Sequence, residues 1–495
     1  MSSPPTPVSR ASADAAADTA ADTAADTQPV SLAQFAQLFT AVMLPIFLAA
    51  LDQTLLATAT PAIARDFSDL HDSTWIAVGY LLASTIMAPL YGRLGDRYGR
   101  RDALLGALAL FALGSVACAG SPGMWWLIAA RVLQGLGGGG LMVMSQALIG
   151  EVVPPRQRPR FQAWLSAVFV LSSVTGPVVG GLVVTSYSWR WLFVANLPLC
   201  ALAAWRVTRL ARGGGHVEPG QNHDAAGVLM FAGSAALALL WLTLGGHRFA
   251  WLSPPSLLMA GCAAALAWLL LRHERRQRHP FLPLELLRLP ATAWMTLTVM
   301  LFACSMFALV FFLPVYLQIA RHGSAAHAGL LLLPLTAGIV IGANATGRLI
   351  GRSGRPDLPP RFGLSVSALA LLALALVPPQ SLQVGALGLL AGLGFGSVMP
   401  SAQLLVQTVA GRSRLGAAAA TISLARSTGA SLGTAVFGAL VFGVVSPADL
   451  QAALHDAGGP VALRVTEAFH LGFGAAAALT LLAVVVASRV PRVEL

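Results

Sequence analysis

Apolar residues run along this chain in blocks of roughly 20, the length a helix needs to cross a lipid bilayer. Short polar or glycine-rich stretches separate the blocks. There are about fourteen blocks of that length, beginning near Phe39, Trp75, Ala103, Trp125, Phe161, Leu192, Gly227, Pro255, Thr292, Ala328, Phe362, Leu382, Leu415 and Phe469. In hydrocarbon a backbone satisfies its own polar groups only as a helix or a closed barrel. The pattern therefore predicts an all-α integral membrane protein.

One charged stretch between blocks occurs twice. GRLGDRYGRR at residues 92–101 returns in shortened form as GRLIGRSGR at residues 347–355, with Gly92, Arg93, Leu94, Arg97, Gly99 and Arg100 matching Gly347, Arg348, Leu349, Arg352, Gly354 and Arg355. Both are expected to be hairpins in which glycines turn the chain. An internal duplication predicts two pseudo-symmetric six-helix bundles, with two further helices inserted between them, making 14 transmembrane helices. The expected division is a disordered tail (1–34), an N-terminal bundle (35–212), the inserted pair with its linker (213–290) and a C-terminal bundle (291–495). Halves that rock about a central site are a common design for moving a solute.

Composition agrees. Of the 495 residues, 56% are hydrophobic and 10% charged, against about 25% charged in soluble domains. The net charge of +11 is carried by arginine alone. The arginines collect in alternate loops: Arg97/Arg100/Arg101, Arg156/Arg158/Arg160, Arg206/Arg209/Arg212, Arg272/Arg275/Arg276/Arg278, Arg352/Arg355/Arg361 and Arg412/Arg414. That is a topology signal rather than a nucleic-acid surface, and it places both termini and both hairpins in the cytoplasm. The opening stretch, with its AADT repeats, lacks the basic start and apolar core of a signal peptide and is too polar to pack. Trp75, Trp125, Trp126, Trp189, Trp191 and Trp251 fall near block ends, where interfacial anchors belong. Cys118, Cys200, Cys262 and Cys304 read as small apolar fillers. A long external loop is expected at 446–466.

Asp52 is the acid set deepest in a block, in MLPIFLAALDQTLLATATPAI. Such a charge costs about 2.5–3.5 kcal/mol at mid-helix, and intramembrane acids tend to mark ion or proton paths. Arg131, in ARVLQGLGGGG, is the expected partner: on their helices both fall roughly 10–17 Å below the outer surface. A structural ion pair and a proton site both fit. Burial favours the neutral acid and a neighbouring arginine the ionised one, so a movement that parts the two could load and release a proton. The glycine run 135–140 and TGPVVGG at 175–181 remove side chains and permit close helix approach; Pro177 adds a kink. Asp96 could pair with arginines or cap a helix of the other half. The second hairpin has Gly351 in its place, so a latch of that kind would exist once. There is no Walker loop, no nucleophile–base set and no metal-ligand spacing, which argues against an enzyme and leaves an ion gradient as the driving force.

The motifs in order resemble the major facilitator superfamily, and within it the fourteen-helix drug:proton antiporter branch. LDQTLLATATP (51–61) is similar to that branch's first-helix signature, departing at Thr58 and Thr60. GRLGDRYGRR, RVLQGLGGG and TGPVVGG resemble its second-loop, fourth-helix and fifth-helix motifs. WRWLFVANLP, LPVYLQ and SLARSTGASLG are similar to later parts, so the likeness runs from about Leu38 to Ser488. The resemblance implies a proton-coupled multidrug antiporter in the cytoplasmic membrane, exporting small lipophilic or cationic molecules without a cofactor. Its partners would be the substrate, protons and lipid, and no nucleic acid. Asp52 would be the proton site, with Arg131 acting on it. Gly92, Asp96, Arg97, Gly99 and Arg100 would control the conformational change, and Gly176, Pro177, Gly180 and Gly181 would form the antiporter motif. Arg426 would be a second intramembrane charge, facing the cavity or pairing with a carbonyl. The alternatives are import of a small metabolite on the same fold and, behind it, a membrane-embedded enzyme or a non-transporting sensor.

Overall fold

The computed structural model describes residues 32–68, 74–154, 158–211, 224–245, 249–277, 284–321, 332–376, 381–411, 414–442 and 460–493. The opening tail, residues 69–73, the expected helix start at Ala328 and most of the 446–466 loop lie outside them. Every named element is a helix. In chain order these are α1 (Leu32–Asp66), α2 (Thr74–Tyr98), α3 (Arg100–Ala119), α4 (Met124–Val152), α5 (Arg158–Ser186), α6 (Arg190–Thr208), α7 (Ala225–Leu244), α8 (Pro254–Glu274) and the short α9 (Leu284–Arg288). They continue with α10 (Pro290–Arg321), α11 (Leu333–Ser353), α12 (Leu358–Leu376), α13 (Ser381–Phe395), α14 (Val398–Ala410), α15 (Leu415–Phe442) and α16 (Pro460–Ser488). Among the described residues, 11 helical stretches are long and apolar enough to cross a membrane, α13 and α14 together making one of them.

Helices α1 to α6 share one apolar core, in which Ile46, Phe111, Leu141 and Phe161 are buried. Helices α10 to α16 share another, built around Phe302, Phe395, Phe437, Phe469 and Phe473. Ala418 and Ile422 of α15 belong to the second core while Ala419 and Ala420 belong to the first. α15 is therefore a seam helix, and it packs against α2. The glycine run of α4 sets that helix tightly between α2 and α3. A methyl group at Gly139 would strike the Ser84 carbonyl, and one at Gly137 would strike Phe111 and Ala107. α7 and α8 pair with each other and rest on the outside of the seam, where Phe231 and Leu270 meet Leu90 of α2 and Leu424 of α15.

The arginine-rich ends lie together on one face. There Arg101 donates to the α6 carbonyls of Val207 and Thr208 at 3.2 and 2.7 Å, Arg158 to Gly150 and Val153 of the α4 end at 2.7 and 2.8 Å, and Arg361 to Val490 at 2.7 Å. The same arginines that read as a topology signal thus satisfy carbonyls that helix ends leave open.

Three expectations need correcting. The hairpins are not loops: α2 runs to Tyr98 and α11 to Ser353, and each chain reversal is made by one glycine, Gly99 (φ 95°) and Gly354 (φ 66°). A side chain on either would be strained at that φ. The last helix begins at Pro460 rather than near Phe469; Arg464 and Glu467 had made its first turns read as loop. Trp189 is not a surface anchor. It is 4% exposed, whereas Trp125, Trp126 and Trp191 are more than half exposed at helix ends.

Candidate functional site

Five helices of the first bundle converge on one carboxylate. Asp52 of α1 is 4% exposed and Arg131 of α4 is 1% exposed. Arg131 Nη1 donates to Asp52 Oδ2 at 2.6 Å. Gln134, one turn further along α4, donates through Nε2 to Asp52 Oδ1 at 3.0 Å and to Ser115 Oγ of α3 at 2.9 Å. Asn196 of α6 donates through Nδ2 to the same Asp52 oxygen at 3.1 Å. Arg131 Nη1 also donates to Gln134 Oε1, and its Nε to the Ile76 carbonyl of α2 at 3.2 Å. The guanidinium carbon lies 4.4 Å from the Tyr80 ring centroid.

Three donors face Asp52, the set an ionised carboxylate requires. A buried ion pair recovers its desolvation only when its remaining hydrogen-bonding capacity is met; here Gln134 and Asn196 serve the second carboxylate oxygen, and Gln134 Oε1 and the Ile76 carbonyl accept from Arg131. The sequence reading put Asp52 and Arg131 at one depth; the structure puts them in contact. It missed Gln134 and Asn196, though both lie in quoted motifs. The available signal was their chemistry: an amide inside an apolar span is itself costly.

The antiporter-type motif lies against the same stretch of α1. Gly176 of α5 is buried where a methyl group would strike Thr54, and Thr54 Oγ1 donates to the Ser172 carbonyl at 2.9 Å. α5 is helical throughout Arg158–Ser186. Gly180 is buried and Gly181 half-buried, while the Pro177 side chain is outside the described set.

At the arginine-rich face, Asp96 of α2 reaches the other bundle. Its Oδ1 accepts from the Gly416 N–H at 2.9 Å and its Oδ2 from the Ala417 N–H at 3.0 Å. These are free amides in the first turn of α15, where the helix dipole favours an anion. Arg100 donates to Asp96 at 2.8 Å and pairs with Glu151 of α4 at 2.9 Å. The backbones touch closely here: a methyl group at Gly92 would lie 2.7 Å from the Gly416 carbonyl oxygen. Arg97 is half-buried with its guanidinium 5.2 Å from the Tyr98 ring. Glu151 was not foreseen, and neither was a glutamine cluster that joins α4 to α14. Gln403 Nε2 donates to Gln146 Oε1, and Gln407 Nε2 to the Gln146 carbonyl at 3.3 Å.

These described bonds between the bundles all lie toward the arginine-rich face. At the opposite end Asp66 accepts from Trp189 Nε1 and Arg190 Nη1, both at 3.0 Å, within one bundle. The Trp189 hydrogen bond, opposed by slight burial and helped by Arg190, holds the Asp66 carboxyl below its ordinary pKa. Arg426 sits mid-way along α15, half-buried, in no hydrogen bond or ion pair among the described residues. Among the described residues no group of three or more His, Cys, Asp or Glu side chains is arranged to hold a metal.

The comparisons with known proteins agree with one another. A family model described as Major Facilitator Superfamily matches residues 42–434. The chain is 36% identical over 417 residues to an uncharacterised MFS-type transporter of Mycobacterium tuberculosis, covering 81% of this chain and 59% of that protein's length. It is 31% identical over 407 residues to the multidrug transporter protein MdtP of Bacillus subtilis, covering 82% of this chain and 75% of MdtP. The fold matches the crystal structure of the human organic anion transporter MFSD10 with a TM-score of 0.63 at 18% identity, covering 93% of this chain and 100% of that one.

Proposed function

This chain is a member of the major facilitator superfamily, a family of membrane transporters rather than enzymes, and on that premise we propose that it exports small lipophilic molecules in exchange for protons. The observation that carries the reading is the sealed Asp52–Arg131–Gln134–Asn196 cluster, a titratable acid in a place where water and lipid are both excluded. A proton on Asp52 would weaken the Arg131 contact and turn one oxygen into a donor, which none of the three present partners can accept from in their current orientation. Protonation and rearrangement of the first bundle are therefore linked.

The name of the Bacillus relative supports efflux of drugs, and the placement of TGPVVGG beside α1 supports exchange over co-transport. α5, α7 and α15, of 29, 20 and 28 residues, would supply the three crossings beyond the apolar 11 in a fourteen-span chain. The arginine-rich face is assigned to the cytoplasm. On that assignment the bonds of Asp96 and the glutamine cluster close the cytoplasmic end, and the conformation is the outward-facing one. Gly92, Asp96, Arg97, Gly99 and Arg100 would act as its switch. Alternating access then consists of breaking those bonds as Asp52 changes its protonation.

The test is Asp52→Asn in a host stripped of its own pumps, with the purified full chain in proteoliposomes beside it. The variant is expected to insert and fold while losing efflux driven by a pH gradient. Gradient-driven efflux at the wild-type rate would defeat the proposal.

A further inference from the structure

The charge of the transported molecule can be read from what α15 leaves uncompensated. Asp52, the one acid set deep in a span, is fully engaged with Arg131 and two amides. Arg426 has no such partner: among the described residues nothing charged faces it and nothing hydrogen-bonds it. It lies 11 residues into α15, about 16 Å from that helix's first turn at 1.5 Å per residue. A lone guanidinium at that depth is costly unless an anion or water meets it.

Its surroundings are arranged as a site. On a helix of 3.6 residues per turn, Ser423, Arg426, Ser427 and Ala430 share the side of α15 that also carries Gly416 and Ala419. At Gly416 and Ala419 that side is buried against α2. From Ser423 onward it is half-buried. On α2 the corresponding side passes from buried Gly92 to Leu81, which is 47% exposed. The seam thus opens just beyond the latch, and Arg426, with the hydroxyls of Ser423 and Ser427, stands where it opens.

We infer that this opening is the cargo site and that its cargo is a lipophilic anion, a carboxylate, sulfonate or phosphate ester on an apolar body, held through its acidic group by Arg426. Charge-assisted hydrogen bonds from a planar guanidinium suit those groups, and the site repels amines. The inference rests on the export reading and narrows its substrate class.

The experiment uses three probes on one aromatic scaffold, carrying a carboxylate, a neutral amide or an amine. Each is offered to the full chain in proteoliposomes and, separately, to the chain in nanodiscs by equilibrium dialysis. Wild type is expected to bind and move the carboxylate best and the amine least. Arg426→Gln should raise the KM for the carboxylate about tenfold or more and leave the amide within about twofold, while Arg426→Lys recovers part of the loss. If the amide moves but the three probes rank equally, or Arg426→Gln leaves the ranking unchanged, the inference falls and the export reading stands. If no probe moves yet the carboxylate binds in an Arg426-dependent way, the export reading falls and the anion site stands.

Discussion

The two copies of the duplicated stretch have parted company. In the first, Asp96 spends its carboxylate on the other bundle, bonding the Gly416 and Ala417 amides, with Arg100 and Glu151 behind it. In the second, Gly351 stands at the matching place, and the acid two positions after the motif, Asp357, is wholly buried and turned inward to Arg355 at 2.9 Å and Arg361 at 3.3 Å. Both copies reverse the chain at one left-handed glycine. What differs is where the negative charge goes. One copy bonds across to the other bundle and the other braces its own, so the Asp96 contact has no counterpart in the second copy, and the glutamine cluster is what stands beside it at the arginine-rich end.

The largest effect expected is on the inward-turned copy. Asp357→Asn leaves two partly buried arginines without their anion, and removing one member of a buried pair costs about 3 kcal/mol or more. It should lower thermal stability and yield in detergent, with no change in the conformational preference of the protein that survives. Asp96→Asn should do the reverse. It removes a charge from two helix amides and from Arg100, worth about 2 kcal/mol, or roughly thirtyfold in the balance of conformations. Spin-label distances between α2 and α15 should lengthen while stability holds. If Asp96→Asn unfolds the chain and leaves those distances unchanged, the latch and the brace are not distinct and the comparison fails.

Smaller effects sharpen it. Glu151 is partly exposed, so Glu151→Gln should cost below about 1 kcal/mol and shift the same distances in the same direction as Asp96→Asn. The smallest effect belongs to the opposite end. The folded-state pKa of Asp66 is lowered, so its contribution is present above the ordinary value of 3.8 and fades as pH falls through the lowered one. Asp66→Asn should therefore be slightly less stable than wild type at neutral pH, and the two melting curves should converge in strong acid. It should not move the α2–α15 distances at any pH.

Much of this protein was legible along one dimension. A span is a local property of some twenty residues, so the apolar blocks, the arginine bias and the repeat could be read directly. Asp52 stood out because a charge in an apolar block is costly wherever the neighbours are, and similar depth made Arg131 a possible partner, which the structure then placed in contact. The boundaries that misled were those where polar residues begin a helix, as Arg464 and Glu467 do in α16, or continue one, as in the stretch ending at Tyr98 in α2.

Rotation and approach were decided only in three dimensions. Spacing gives the depth of Gln134 and Asn196 but not that α4 and α6 turn both toward one oxygen of Asp52. It cannot say that Asp96 meets amides more than 300 residues away while Asp357 turns back on its own arginines. Nor can it say that Arg426 meets no anion among the described residues. Hydropathy depends on what a residue is; a hydrogen bond depends on which way its helix faces and how near the next one comes, and that is set by the packing of every helix at once.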